Sequence, residues 1–253
     1  MNPGDKISEA ELSQKEISPS DVMHVDTGLG NFDHHQPSRG HDHSSAASLV
    51  YDYLCQLHPE LQQDKSLQFL VEFVTDIDHF GELFWPESNH LRYNFMLHEI
   101  IRGIESIELH NDDSQLHFGF LCIEGVYSSL KQQIKAEKIL KTKAQYFQIN
   151  AGTCMAVKTR NDNTLKLAQK YGSVMVIRKD SARGHIRIKT RPDIDLDLRP
   201  LWEEILKIDS AGTWYYHPSG KMLINGSEKH KNQKPSPLSL EQVITLVKKI
   251  YGT

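Results

Sequence analysis

Apolar and polar positions divide the chain into two textures. "VMHVD", residues 22–26, is a short apolar-rich run that ends on an acid, and the turn "TGLG" and then "NFDHH" follow it. Run and turn read as a strand leading into a loop. From Ser44, "SSAASLVYDYLCQL" offers a serine N-cap and then Ala47, Val50, Tyr51 and Leu54 at helical spacing. Two further helices are predicted: "SLQFLVEFVTDIDHFG", which delivers Asp76 and Asp78 at its end, and "HLRYNFMLHEIIRGI". The polar stretch "ELHNDDSQLH", Glu108 to His117, is the expected linker.

Beyond it the texture changes. "GVYSSLKQQIKAEKILKTKAQYF" reads as a long amphipathic helix with lysines on its outer face. "TCMAVKT", "SVMVIRK" and "HIRIKT" are strand-like, "DIDLD" alternates as a half-buried strand would, and "DLDLRPLWEEILKI" turns helical in its second half. "TWYYHPSGKMLIN" is hairpin-like, and "LSLEQVITLVKKIYG" is a closing helix with Gly252 as its stop. Strand–helix alternation followed by a smaller α+β region predicts an α/β protein of two domains, 1–107 and 118–253.

Composition narrows the function classes. At 253 residues, 38% hydrophobic and 25% charged, the chain has the make-up of a soluble globular protein. No window approaches the roughly eighteen uninterrupted apolar residues of a membrane span, so no membrane partner is expected. The polar, acidic N-terminus does not read as a signal or transit peptide. Cys55, Cys122 and Cys154 lie far apart among apolar neighbours, which suits reduced core residues in a cytoplasmic protein. A net charge of -4 argues against coating nucleic acid through bulk electrostatics, yet permits a local basic groove for a short nucleotide.

Candidate chemistry concentrates in "HVDTGLGNFDHHQPSRGHDHSS", His24 to Ser45, which holds five of the fourteen histidines. In an extended segment Asp33 and His35 face one way and His34 the other, unless a bend lets both rings converge on one ligand. Imidazole and carboxylate together suit a borderline divalent metal such as Mn, Fe, Co or Zn. Asp26 ends the preceding run, where α/β sheets place their sites, and Asp76 or Asp78 is positioned to reach the same crevice. His41, Asp42 and His43 read as a solvated rim, and His79 and His98 receive no role. In "ARGHIRIKT", Arg183, His185, Arg187 and Lys189 share one strand face, either a phosphate-facing strip or an ordinary solvated one. The turn "HPSGK", with His217, Ser219 and Lys221, offers backbone donors and an ammonium to an anion. Trp214, Tyr215 and Tyr216 serve either base stacking or the core.

"VDTGLGNFDHHQ", "SSAASLVYDYL" and "TDIDHFG", in this order, resemble the DHH phosphoesterase superfamily, in particular its branch named after the melanocyte-proliferating gene product. "GTWYYHPSGKMLINGS" is similar to that branch's late "FVHxSGFIGG" segment, so the resemblance runs from about Asp21 to Ser227. It implies a parallel-sheet domain with a smaller domain closing over the substrate, and two divalent ions, usually Mn2+ or Mg2+. By motif, Asp26 would bridge the metals, His34 and Asp76 would be ligands, Asp33 would orient the His pair, and His35 would face the scissile phosphate. Asp76 is preferred to Asp78 for its five-residue distance to Gly81.

The departure from the pattern is as informative. Superfamily members open with a His- and Asp-rich motif on a first strand, and nothing like it lies in Met1 to Asp21. Asp26, His34 and Asp76 amount to about one ion's worth of ligands. Three explanations stand: an N-terminally shortened chain, a strand supplied by another chain or a homo-oligomer, or a fold that kept its shape and lost two-metal chemistry. The function expected from the resemblance is a metal-dependent phosphodiesterase, a 3'-5' exonuclease on short RNA or nucleotides. The alternative is a non-catalytic nucleotide- or metal-binding module.

Overall fold

The computed structural model describes residues 5–109, 111–226 and 232–252, and among these the protein is mixed α/β, with eight helices and six strands. It divides into two compact units, Met1–Leu130 and Lys131–Thr253. The boundary falls inside a single helix, α5 (Asp112–Lys143), so the polar stretch expected to be a linker instead leads into that helix. Its acids explain this, because Asp112 and Asp113 in the first turn complement the helix dipole. No helix among the described residues is long and apolar enough to cross a membrane.

The N-terminal unit is helical: α1 (Glu9–Gln14), α2 (Ala46–Leu57), α3 (Lys65–Asp78), α4 (Leu97–Ile107) and the first part of α5, joined by short 3-10 turns. Ser45 caps α2 in a capping box with Ser48, and Asp64 caps α3 through the Ser66 and Leu67 amides. The parallel sheet expected here is not formed. Among the described residues of this unit, the only β pairing is one parallel bridge, Val25 to Phe32. The two partners are seven residues apart, whereas parallel strands need a crossover of about a dozen residues or more, so the ladder cannot extend. The unit's buried apolar residues are Leu12, Ala46 and Cys55, while Phe69, Phe84, Phe95 and Phe120 are all exposed. Its amphipathic helices thus carry apolar faces that the described chain leaves uncovered.

The C-terminal unit holds the sheet, in the order β1-β2-β3-β4-β6-β5. The strands are β1 (Gln145–Ile149), β2 (Gly152–Lys158), β3 (Met175–Lys179), β4 (Ile186–Thr190), β5 (Trp214–Tyr216) and β6 (Met222–Asn225). Only β2 and β3 run parallel, connected through α6 (Asn163–Lys170); every other pair is antiparallel. Residues alternate across the two central strands. Cys154, Ala156, Met175 and Ile177 join a core with α7 (Arg199–Ile208) and α8 (Leu240–Tyr251). Met155, Val157 and Val176 join a second core with α6 and the end of α5. Burial on both faces explains why β2 and β3 read as unbroken apolar runs.

The three central strands, the hairpin and the closing helix form as the periodicity predicts. Three local readings change. "QYF", the end of the predicted long helix, instead opens β1, and α6, where no element was predicted, is too short to show a period. "DIDLD" alternates in burial but forms no strand; Pro192 and Pro200 flank it, and proline offers no ladder donor.

Candidate metal centre

The loop between Asp26 and Ser45 is folded by its own backbone. The Asp26 amide donates to the Phe32 carbonyl (3.0 Å), closing a turn in which Asp26, Gly28 and Leu29 all take positive φ. Gly28 suits this conformation and Asp tolerates it; Leu29 is strained there. Its amide is held by the fully buried Asp33 carboxylate at 2.8 Å. The other Asp33 oxygen accepts from the His35 amide (3.0 Å) and bonds the His35 Nδ1 (2.8 Å). These amide bonds, against the opposing effect of burial, hold the Asp33 carboxyl below the usual carboxylate range. Its side-chain bond to Asp33 holds the His35 imidazole above the usual range, burial opposing, with the charges of Asp26, Asp33 and Asp78 adding to the rise.

His34 turns the other way and meets a different set. Its Nδ1 lies 2.7 Å from the Ser44 carbonyl, and the His79 Nε2 reaches the same oxygen at 2.9 Å. A carbonyl only accepts, so the proton of each ring sits on the nitrogen that faces it. In the neutral His34 ring the lone pair then lies on Nε2, which is buried and has no hydrogen-bond partner. Nε2 stands 3.4 Å from the Asp26 carboxylate and 3.3 Å from the Asp78 carboxylate. A proton on Nε2, or a cation set between it and the two carboxylates, would satisfy all three groups.

The side chains form two overlapping groups that could hold a metal ion, Asp26–His34–His35 and His34–Asp78–His79, each with donor atoms within 4.8 Å of one another. Asp76 is not in either. It accepts from the Trp85 indole at 3.1 Å and packs so tightly on Gly81 that a Cβ there would lie 1.9 Å from its oxygen. The reason is the helix period. Thr75 of α3 bonds Ser45 at the start of α2 (2.7 Å), and Asp78 and His79, three and four residues on, continue that face towards His34. Asp76, one residue on, is rotated about 100° away. Asp78 and His79 were thus discoverable from the helix phase once the Thr75 contact was known, but not from the spacing to Gly81. His43, read as rim, packs on His79 with ring centroids 4.5 Å apart. His43 lines a cleft of about 470 Å³ between α2 and α3, together with Tyr51, Gln68, Glu72 and Thr75.

Most of the C-terminal residues read as substrate contacts are engaged within their own unit. Arg187 is paired with Asp162 at 2.6 Å, and Asp162 also holds the buried Arg178. The Lys221 ammonium donates to the Ile194 and Leu196 carbonyls (2.6 and 3.2 Å), tying down the proline-flanked segment. His217 and Ser219 bond each other (2.7 Å) within their turn. Arg183 lies in the turn that the Asp180 carboxylate closes. His185 is half-buried, its Nδ1 without a hydrogen-bond partner and its ring against Gly226, where a Cβ would lie 1.8 Å away. Trp214 donates to Asp209 (2.8 Å) and Tyr216 to Asp197 (2.7 Å), which gives both a packing role, while Tyr215 is exposed.

No protein-family model matches the chain, and no curated protein is significantly similar to it.

Proposed function

We propose that the protein is a divalent-metal-dependent phosphodiesterase, a 3'-5' exonuclease acting on short RNA or nucleotides. The observation that carries the reading is the buried, unpartnered His34 Nε2 between the carboxylates of Asp26 and Asp78. Mixed imidazole and carboxylate donors suit Mn2+ well and Mg2+ less so, and His34, with Asp78 and His79 on one side or Asp26 on the other, would hold it. When bound, such an ion ionises water and clamps phosphoryl oxygens.

The chain's own groups supply the rest. Asp33 fixes the His35 ring through Nδ1 and favours its protonated form. The half-exposed ring then has its Nε2 proton to donate to a phosphoryl oxygen. The cleft beside His43 supplies room for a nucleotide, and Tyr51 on its wall a ring to stack against. The uncovered apolar faces of the N-terminal unit support a packing partner for it, a second copy or another chain.

One observation favours a second reading, a nucleotide- or metal-binding module without catalysis. Both donor groups share His34, so they add up to about one ion rather than two. Calorimetric titration with Mn2+ separates the readings, two ions favouring the enzyme and a single ion the module. The enzyme should release mononucleotides from oligoribonucleotides in Mn2+, and His34→Ala should lower that rate at least a hundredfold. Full activity in His34→Ala would sink the proposal.

A further inference from the structure

A second polar cavity lies wholly within the C-terminal unit, far along the sequence from the histidine cluster. It measures about 450 Å³, within the size range of small-molecule sites, and is lined by Lys143, Gln145, Lys158, Lys179, Ser239 and Glu241 among others. The sheet explains how the lysines converge. Lys158 and Lys179 are the last residues of β2 and β3, the parallel pair, and lie directly opposite each other in the register. Neighbours in register point to the same face. Here that is the face of Cys154, Ala156, Met175 and Ile177, which α8 covers. Lys143 ends α5 just before β1, and the first turn of α8 closes the other side.

Placing two ammonium groups side by side across a strand pair costs stability, and the surroundings offset it only in part. Lys179 donates to the Ser236 carbonyl (3.4 Å) and to the Leu238 carbonyl, which leaves one of its three N–H groups. Among the described residues, Lys143 and Lys158 have no hydrogen-bonded or ion-paired partner. Glu241 is the one acid lining the cavity, and Gln145 already donates to it at 3.3 Å. Burial first, and then the charge of Lys158, push the Lys179 ammonium below its usual range. The α8 end adds positive potential, although its capping box already uses the Ser239 and Gln242 amides. Three ammonium groups face one lining carboxylate, and the charge of the buried Asp209 also acts on Lys179, so the lining itself keeps an excess of positive charge.

We infer that this cavity is an anion site that takes a small dianion of the phosphate class, with Lys143, Lys158 and Lys179 as its cationic contacts. It sits outside the carboxyl ends of the parallel strand pair, where open sheets place ligands. The site is independent of the histidine cluster and stands whether or not that cluster binds metal.

Titration of the full chain with inorganic phosphate, in EDTA and at constant ionic strength, tests the site without any contribution from divalent ions. Wild-type protein should bind one phosphate per chain, and saturating phosphate should raise its melting temperature. Lys158→Gln should weaken binding at least about tenfold, since it removes a charge-assisted bond. Without phosphate, the same variant should melt no lower than wild type, because it relieves the like-charge pair. Lys166→Gln, on the exposed side of α6, should bind as wild type does. Absence of saturable phosphate binding, equal losses in Lys158→Gln and Lys166→Gln, or a Lys158→Gln protein less stable in the absence of phosphate would each overturn the inference.

Discussion

Asp209 shows how one buried carboxylate organises the far end of the C-terminal unit. It is almost fully buried and accepts from the Trp214 indole (2.8 Å), the Ser236 hydroxyl and the amides of Ala211 and Gly212. Burial pushes its carboxyl up, but these donors outweigh it and hold it below the usual carboxylate range. A folded pKa below the unfolded one adds stability above the unfolded value and loses it as pH falls through the folded value. Wild-type stability should therefore drop below about pH 4, the ordinary carboxylate range. Asp209→Asn should cost about 2–4 kcal/mol at pH 7, since an amide presents donors to donors, and should flatten that acid limb. Urea unfolding followed by tryptophan fluorescence at pH 7 and pH 3 measures both. Cys154, in contrast, is a packing residue: burial pushes its thiol up to about 12.

At the scale of elements, the candidate metal centre depends on how α2 meets α3. The Ser45 hydroxyl caps α2 and bonds the buried Thr75 of α3, while the carbonyl of its neighbour Ser44 holds both His34 and His79. Ser45→Ala removes the cap and leaves Thr75 without that partner, at a cost of about 1–3 kcal/mol. Because the same junction positions Asp78 and Ser44, Mn2+ affinity should fall together with stability, by about tenfold. Thermal melting paired with Mn2+ titration checks this, and lower stability with unchanged Mn2+ affinity would separate the junction from the site. The helix start was legible from "SSAAS", since a serine N-cap has a local signature. The pairing with Thr75 was not, because it joins residues thirty positions apart and nothing local marks it.

At the scale of the molecule, the two units differ in how completely they bury their apolar residues. The C-terminal unit packs both faces of its sheet, whereas the N-terminal unit exposes Phe84, Phe95 and Ile107 almost entirely. Large uncovered apolar surface marks an interaction site or a weak spot, and sparse burial means low local stability. The native chain should bind a hydrophobic dye such as ANS. Amides of α2–α4 should exchange with solvent well before those of β2–β4, as hydrogen exchange read by mass spectrometry would show. Uniform protection across both units would contradict this.

The sequence by itself determined what short-range physics fixes. Caps, helical periods, the unbroken runs of β2 and β3 and the HPSGK hairpin all follow from neighbours within a few residues. It also placed Asp33, His34 and His35 in one loop, because they are adjacent in the chain. Only the tertiary structure decided what depends on distant partners. Val25 makes a single bridge because its partner Phe32 lies too close in the chain for a parallel ladder. Asp78 rather than Asp76 faces His34 because Thr75 sets the rotation of α3. Lys158 and Lys179, more than twenty residues apart, became neighbours only when β2 and β3 paired. In each case a side chain's chemistry was readable in advance, and its partner was set by a contact that the local pattern does not encode.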